Sequence, residues 1–196
     1  MRALRRVEGR GAVLDRCDVD TDQIIPKQFL KRIERSGYGE FLFYDWMSDP
    51  DFELRRPDAD GAVVLIAGHN FGCGSSREHA AWALDDHGFR VVIAPSFGDI
   101  FRTNAIKTGL APIVVRETEL DPLKRAVAKR NELVVDLEAQ LIAHPHGLRV
   151  RFDFDAYERQ TLLEGLDDVA RTLRRADEIA AFEATHPARF DLSAIR

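Results

Sequence analysis

Ala62-Val-Val-Leu-Ile-Ala-Gly-His-Asn-Phe-Gly-Cys-Gly-Ser-Ser-Arg-Glu-His79 reads as a strand, a glycine-rich loop and the start of a helix. Residues 62–67 form a continuous apolar run of strand length, the pattern of a strand covered on both faces. The helix is expected from Ser76 to about His87, ended by Gly88. The unit then recurs. Arg90-Val-Val-Ile-Ala94 is a second buried strand, Asp99 to Lys107 a helix stopped at Gly109, and Ala111-Pro-Ile-Val-Val115 a third strand. Alternation of strand and helix predicts an α/β fold with a parallel core and right-handed crossovers.

Toward the N-terminus, Val7 to Leu14 reads as a short strand broken by Gly9 and Gly11, and Asp15 to Asp22 as an acidic, turn-rich stretch. Pro26 limits what can follow Ile24-Ile25. Lys27 to Trp46, rich in aromatic residues, suits short helices with a break at Gly37 and Gly39. Ser48 to Gly61, with Pro50, Pro57 and many acids, reads as a surface loop. Beyond the parallel core, a helix is expected over residues 121–131 and short strands over 133–137, 140–143 and 148–154. The last alternates apolar and charged residues, so one of its faces is wet. Tyr157 to Leu163 and Leu166 to Thr185 read as helices, the second carrying Val169, Leu173, Ala176, Ile179, Ala180 and Phe182 at near-helical spacing. No linker sets this region apart, so residues 1–196 are expected to form a single domain.

The bulk composition narrows the function. The chain has 196 residues, 45% hydrophobic and 31% charged, enough apolar content for a core. A net charge of -5 gives no footprint for nucleic acid or an anionic membrane. No apolar run is long enough to span a bilayer. Basic residues in Met1 to Val7 have no apolar stretch behind them, so no secretory signal is expected. The 2 cysteines, Cys17 and Cys73, fit a reducing, cytoplasmic setting and are too few for an iron–sulfur cluster, which takes about four thiolates.

The loop after residue 67 lies at the carboxyl edge of a parallel sheet, where open α/β proteins bind ligands. Gly72 and Gly74 allow close backbone approach. Ser75 and Ser76 fall at the expected helix start, where unpaired N–H groups and the helix dipole favour an anion. Arg77 adds a planar fork suited to a carboxylate. These features predict binding of a carboxylate or phosphate. The plainer reading is that Ser75 or Ser76 caps the helix, with Glu78 completing a capping box from Ser75. Other known loops do not fit. A dinucleotide fingerprint from Gly72 needs glycine where Arg77 stands, no Gly-Lys-Ser/Thr is present, and Cys73 and Arg77 flank Ser75 where a nucleophile elbow needs glycines.

Gly-x-Gly-Ser-Ser-Arg-Glu-His resembles the active-site loop of the aconitase superfamily. Three stretches resemble, within it, the small subunits of bacterial 3-isopropylmalate dehydratases: Asn70 to His79, Asp20-Thr-Asp-Gln-Ile-Ile-Pro26 and Ile93-Ala-Pro-Ser-Phe-Gly-Asp-Ile-Phe101. The resemblance covers nearly the whole chain. It implies a swivelling β/β/α domain that closes over a large subunit, which bears a four-iron four-sulfur cluster with one open iron. It implies a hydro-lyase that interconverts 2-isopropylmalate and 3-isopropylmalate by loss and return of water in leucine biosynthesis. Matched residue by residue, Ser75 is the base that removes the carbon-bound proton, Arg77 holds a substrate carboxylate and Ser76 assists. Thr21 and Asp22 fall near the active site, Asp22 positioning Ser75 or Arg77. No metal ligand falls on this chain.

The remaining residues admit two readings each. Asp18, Asp20 and Asp22 suit a solvated turn or a set of caps better than a metal site. Cys73 reads as a small residue between glycines rather than a nucleophile. His79, one helical turn from Ser75, suits a structural hydrogen bond, and His144-Pro-His146 a turn. The aromatic residues from Tyr38 to Trp46 suit a core or an interface. Phe29, Leu30 and Ile33 serve equally as core or as an apolar wall for the isopropyl group, on a segment that Gly37 and Gly39 would let move as a lid. Lys31, Arg32 and Arg35 leave a citrate-like substrate open. Related hydro-lyases acting on citramalate, dimethylmalate or homoaconitate, and a non-catalytic anion-binding module, stand as alternatives.

Overall fold

The computed structural model describes residues 1–31, 34, 36–75 and 77–186. The chain folds as two compact units, Met1–Gly165 and Leu166–Arg196.

The first unit is built on a seven-stranded sheet. Its strands are β1 (Arg6–Leu14), β2 (Val64–Ala67), β3 (Val91–Ala94), β4 (Ala111–Val114), β5 (Glu132–Asp136), β6 (Leu141–Ala143) and β7 (Arg149–Arg151), in the order β4-β3-β2-β1-β5-β6-β7. β4, β3, β2 and β1 are parallel, and β1, β5, β6 and β7 antiparallel. The helices are α1 (Thr21–Ile24), α2 (Glu78–His87), α3 (Asp99–Thr108), α4 (Glu117–Lys129) and α5 (Ala156–Glu164).

The apolar runs form strands because both faces of the sheet are covered. Leu65 and Ala67 of β2, and Val92 and Ala94 of β3, pack with Ala80, Leu84, Phe101 and Ala105 of α2 and α3. Their neighbours Val64, Ile66, Val91 and Ile93 face the other way, toward Leu123 and Val127 of α4 and Leu162 of α5. Removing such side chains from water is worth about 1.5–3 kcal/mol each. On β7 the charged residues face solvent and Val150 is buried, as the alternation predicts.

Several expectations change. Gly9 and Gly11 do not break β1. A Cβ on Gly9 would lie 2.7 Å from Val63 Cγ2, and one on Gly11 3.1 Å from Leu133 Cδ1, so both glycines admit packed neighbours. The expected parallel core is present as β4-β3-β2-β1, and β1 extends it by pairing antiparallel with β5. The stretch 48–61 is not all surface, since Phe52 and Leu54 are buried. α4 begins at Glu117, where the Glu119 carboxylate accepts from the Arg116 N–H at 3.1 Å and its guanidinium at 2.7 Å, and it runs through Pro122.

In the second unit, the helix expected over 166–185 is two, α6 (Asp168–Leu173) and α7 (Ala176–Thr185), with Arg174 and Arg175 between them. Val169, Leu173 and Phe182 are exposed rather than packed. Among the described residues no helix is long and apolar enough to cross a membrane.

Candidate active site

The carboxyl ends of β1, β2 and β3 lead into segments that lie side by side. The β2 segment is in the middle. Gly72 N–H donates to Val19 O at 2.7 Å and Phe71 N–H to Ser96 O at 3.1 Å, while Gly98 N–H donates to Phe71 O at 2.9 Å. Gly72 has φ 74, and a Cβ there would sit 2.2 Å from Phe101 Cγ, so only glycine fits. A hydrogen bond from Asn70 Nδ2 to Asp18 Oδ1 (2.8 Å) ties the β1 and β2 segments together.

Each aspartate of the turn has a separate task. Asp20 is the N-cap of α1, its Oδ1 accepting from Asp22 N–H at 2.7 Å and Gln23 N–H at 2.9 Å, and the Gln23 side chain closes the capping box. Asp18 holds Asn70. Asp22 forms a two-pronged ion pair with Arg77, in which Arg77 Nη2 donates to Oδ2 at 3.2 Å. The Arg77 side chain is only 13% exposed and that of Asp22 35%. Among the described residues no group of His, Cys, Asp and Glu suits a metal ion.

Thr21 is buried and clamps the loop twice. Its N–H donates to Cys73 O at 3.0 Å and its hydroxyl to Ser75 O. The Ser75 hydroxyl is thereby presented on an exposed turn, where it makes no hydrogen bond among the described residues. α2 starts later than expected. Its N-cap is Arg77, without a side-chain cap bond, so Ser75 precedes the helix and forms no capping box with Glu78. The cause is the Asp22–Arg77 pair and the Thr21 clamp, which hold residues 75 and 77 in extended or turn geometry against α1.

Lys27 stands beside this group with no signature in the sequence, because a lone lysine after a proline carries no spacing pattern. Its Nζ lies 3.6 Å from Asp22 Oδ2, so Asp22 faces two cations. Cys73 is half-buried. Burial, then Asp20 and Asp18, push its thiol up from its ordinary value, so it stays protonated and a poor nucleophile. His79 packs its ring against Tyr38 (5.2 Å) and Trp82 (4.7 Å), and its side chain makes no hydrogen bond among the described residues. Burial lowers its pKa and favours the neutral imidazole. Phe29 and Leu30 are half-buried against the core, Phe29 stacking on Phe41 at 4.0 Å. Arg32, Ile33, Arg35 and Ser76 lie outside the described residues.

Comparison with known proteins is consistent along the chain. A family model for the "Aconitase C-terminal domain" matches residues 1–118, and one for the C-terminal domain of the 3-isopropylmalate dehydratase small subunit matches residues 168–190. The 3-isopropylmalate dehydratase small subunit of Shouchella clausii is 54% identical over 90% of this chain and 92% of its own length. That of Bacillus subtilis is 50% identical over 94% and 96%. A crystal structure of 3-isopropylmalate dehydratase from Methanocaldococcus jannaschii superposes with a TM-score of 0.67 at 30% identity, covering 90% of this chain and 98% of that one. With one model spanning the strands and loops that build the site, and relatives at half identity along most of its length, this chain belongs to the family of 3-isopropylmalate dehydratase small subunits.

Proposed function

We propose that this chain is the swivelling small subunit of a cytoplasmic 3-isopropylmalate dehydratase, interconverting 2-isopropylmalate and 3-isopropylmalate through loss and return of water in leucine biosynthesis. Its partner is a large subunit. The four-iron four-sulfur cluster is assigned to that partner, because Cys17 and Cys73 fall short of the thiolates a cluster takes.

The observation that carries the reading is the Ser75 hydroxyl, unbonded among the described residues, on a loop whose Ser75 carbonyl is held by Thr21 beside the Asp22–Arg77 pair. Ser75 removes the proton from the substrate carbon. A serine is a weak base unless its alkoxide is stabilised, and the positive charge of Arg77 and Lys27 in a site closed to water would supply that. Arg77 spends two of its N–H groups on Asp22 and keeps three for a substrate carboxylate. Asp22 orients the guanidinium, Thr21 fixes the loop, and Ser76 assists. Phe29 and Leu30 form the apolar wall for the isopropyl group.

The test is reconstitution. The purified chain alone should not turn over isopropylmalate, and mixing with a cluster-bearing large subunit should restore activity, with isopropylmalate preferred over citrate and citramalate. Turnover by the chain alone, or a preference for citrate, would overturn the assignment.

A further inference from the structure

A second anion site lies away from the Ser75 loop, between α4 and the β6–β7 turn. An open-sided cavity of about 480 Å³ separates them. One wall is the helix face bearing Arg125 and Lys129, four residues apart and so neighbours on the surface. Two neighbouring cations are neutralised, Lys124 by Asp15 and Arg130 by Glu132. Arg125 and Lys129 have no ion pair or hydrogen bond among the described residues, and none of the cavity's lining residues is a carboxylate. Adjacent like charges on a helix cost stability, and an anion between them would reverse the sign of that term.

The opposite wall is rigidly built. His144 is only 5% exposed, and both its ring nitrogens are engaged, Nε2 with Arg130 O at 2.7 Å and Nδ1 with His146 N–H at 3.2 Å. Its backbone N–H donates to Leu148 O at 3.0 Å, and Gly147 N–H returns to His144 O at 3.0 Å. The turn therefore holds the exposed His146 in the lining of the same cavity as the two cations. Pro122, Ala126 and Leu148 supply apolar surface.

From this arrangement we propose that the cavity binds a small organic anion, a carboxylate or phosphomonoester with a short apolar body. The charged end sits between Arg125 and Lys129 with His146 as a further polar partner, and the apolar body lies against Pro122, Ala126 and Leu148. The site shares no residue with the Thr21, Asp22 and Ser75–Arg77 group, so it stands or falls independently of the proposed dehydratase role.

The experiment is an NMR titration of the full chain with isovalerate, isovaleramide and inorganic phosphate, followed at the amides of residues 122–129 and 144–148. Isovalerate should give saturable shifts at both segments, the uncharged amide none, and phosphate weaker ones. The double variant Arg125→Gln/Lys129→Gln should weaken isovalerate binding roughly tenfold or more, the loss of a charge-assisted contact. Both residues are on the helix surface and carry no internal bond, so the variant should fold. Equal binding of the amide, unchanged affinity in the double variant, shifts confined to other residues, or phosphate binding as tightly as isovalerate would each overturn the proposal.

Discussion

Asp22 on α1 and Arg77 at the start of α2 close on each other as a fork on a carboxylate, far apart in sequence and each the other's principal charged partner. Lysine cannot reproduce that geometry. Arg77→Lys in the reconstituted enzyme should lower kcat/KM by roughly ten- to a hundredfold, the worth of a charge-assisted bidentate contact. Asp22→Asn should cost about 1 kcal/mol of stability or less, because the pair is partly solvated. Steady-state kinetics and urea unfolding check both, and an Arg77→Lys enzyme with full kcat/KM would remove the carboxylate-binding role.

Ser75→Ala should separate chemistry from stability. The exposed hydroxyl neither caps α2 nor bonds elsewhere among the described residues, so unfolding free energy should change by less than about 0.5 kcal/mol. Loss of a base should cost roughly two to four powers of ten in turnover. Near-normal turnover would end the assignment of Ser75 as the base.

Thr21→Val keeps the shape of a buried side chain and removes the hydroxyl that donates to Ser75 O. It should destabilise the chain by about 1–2 kcal/mol and reduce turnover by loosening the loop. A variant with lowered stability and unaltered kcat would show that the clamp serves the fold alone.

Gly72→Ala meets a backbone conformation and a contact that alanine cannot share, φ 74 with a Cβ 2.2 Å from Phe101 Cγ. A loss of more than about 2 kcal/mol is expected in thermal or urea unfolding. Gly61→Ala is the comparison, since its φ of 66 carries strain without a steric neighbour and should cost less.

Burial depresses the pKa of His79 in the folded chain below the ordinary 6.5. The unfolded chain then takes up the proton first as pH falls. The stabilising contribution is present above pH 6.5 and is lost as pH falls toward the folded value. His79→Phe keeps ring packing with Tyr38 and Trp82 and cannot titrate. Its stability relative to the native chain should therefore improve between about pH 7.5 and 5.5, measured by urea midpoints, and a constant difference would contradict the burial argument.

Much of the fold is legible in local pattern. The runs ending at Ala67, Ala94 and near Val115 announce parallel strands because each residue, whichever way it points, meets apolar neighbours. What stays hidden is pairing over long separation. Nothing around Val7 or Val135 states that the two lie opposite each other. Gly9 and Gly11 mislead because a glycine demanded by a neighbour's bulk looks like one demanded by a turn. Around the loop, the nearness of Thr21 and Asp22 to Ser75 and Arg77 follows from the matched motifs, and the cap at Asp20 from the residue type. The start of α2 does not, since the tertiary ion pair and the Thr21 clamp delay it.

β1 has a consequence for synthesis on the ribosome. It leaves the tunnel first, yet its residues 11–14 hydrogen-bond to β2 and its residues 6–10 to β5. The first half of the strand thus waits with an unpaired edge until residue 136 has been made. Exposed strand edges recruit other chains, so the nascent polypeptide depends for most of its elongation on whatever shields Arg6 to Arg10 from neighbours. The alternating charges of Arg6, Glu8 and Arg10 are a device of that kind, carried on the outward positions of the strand that has longest to wait.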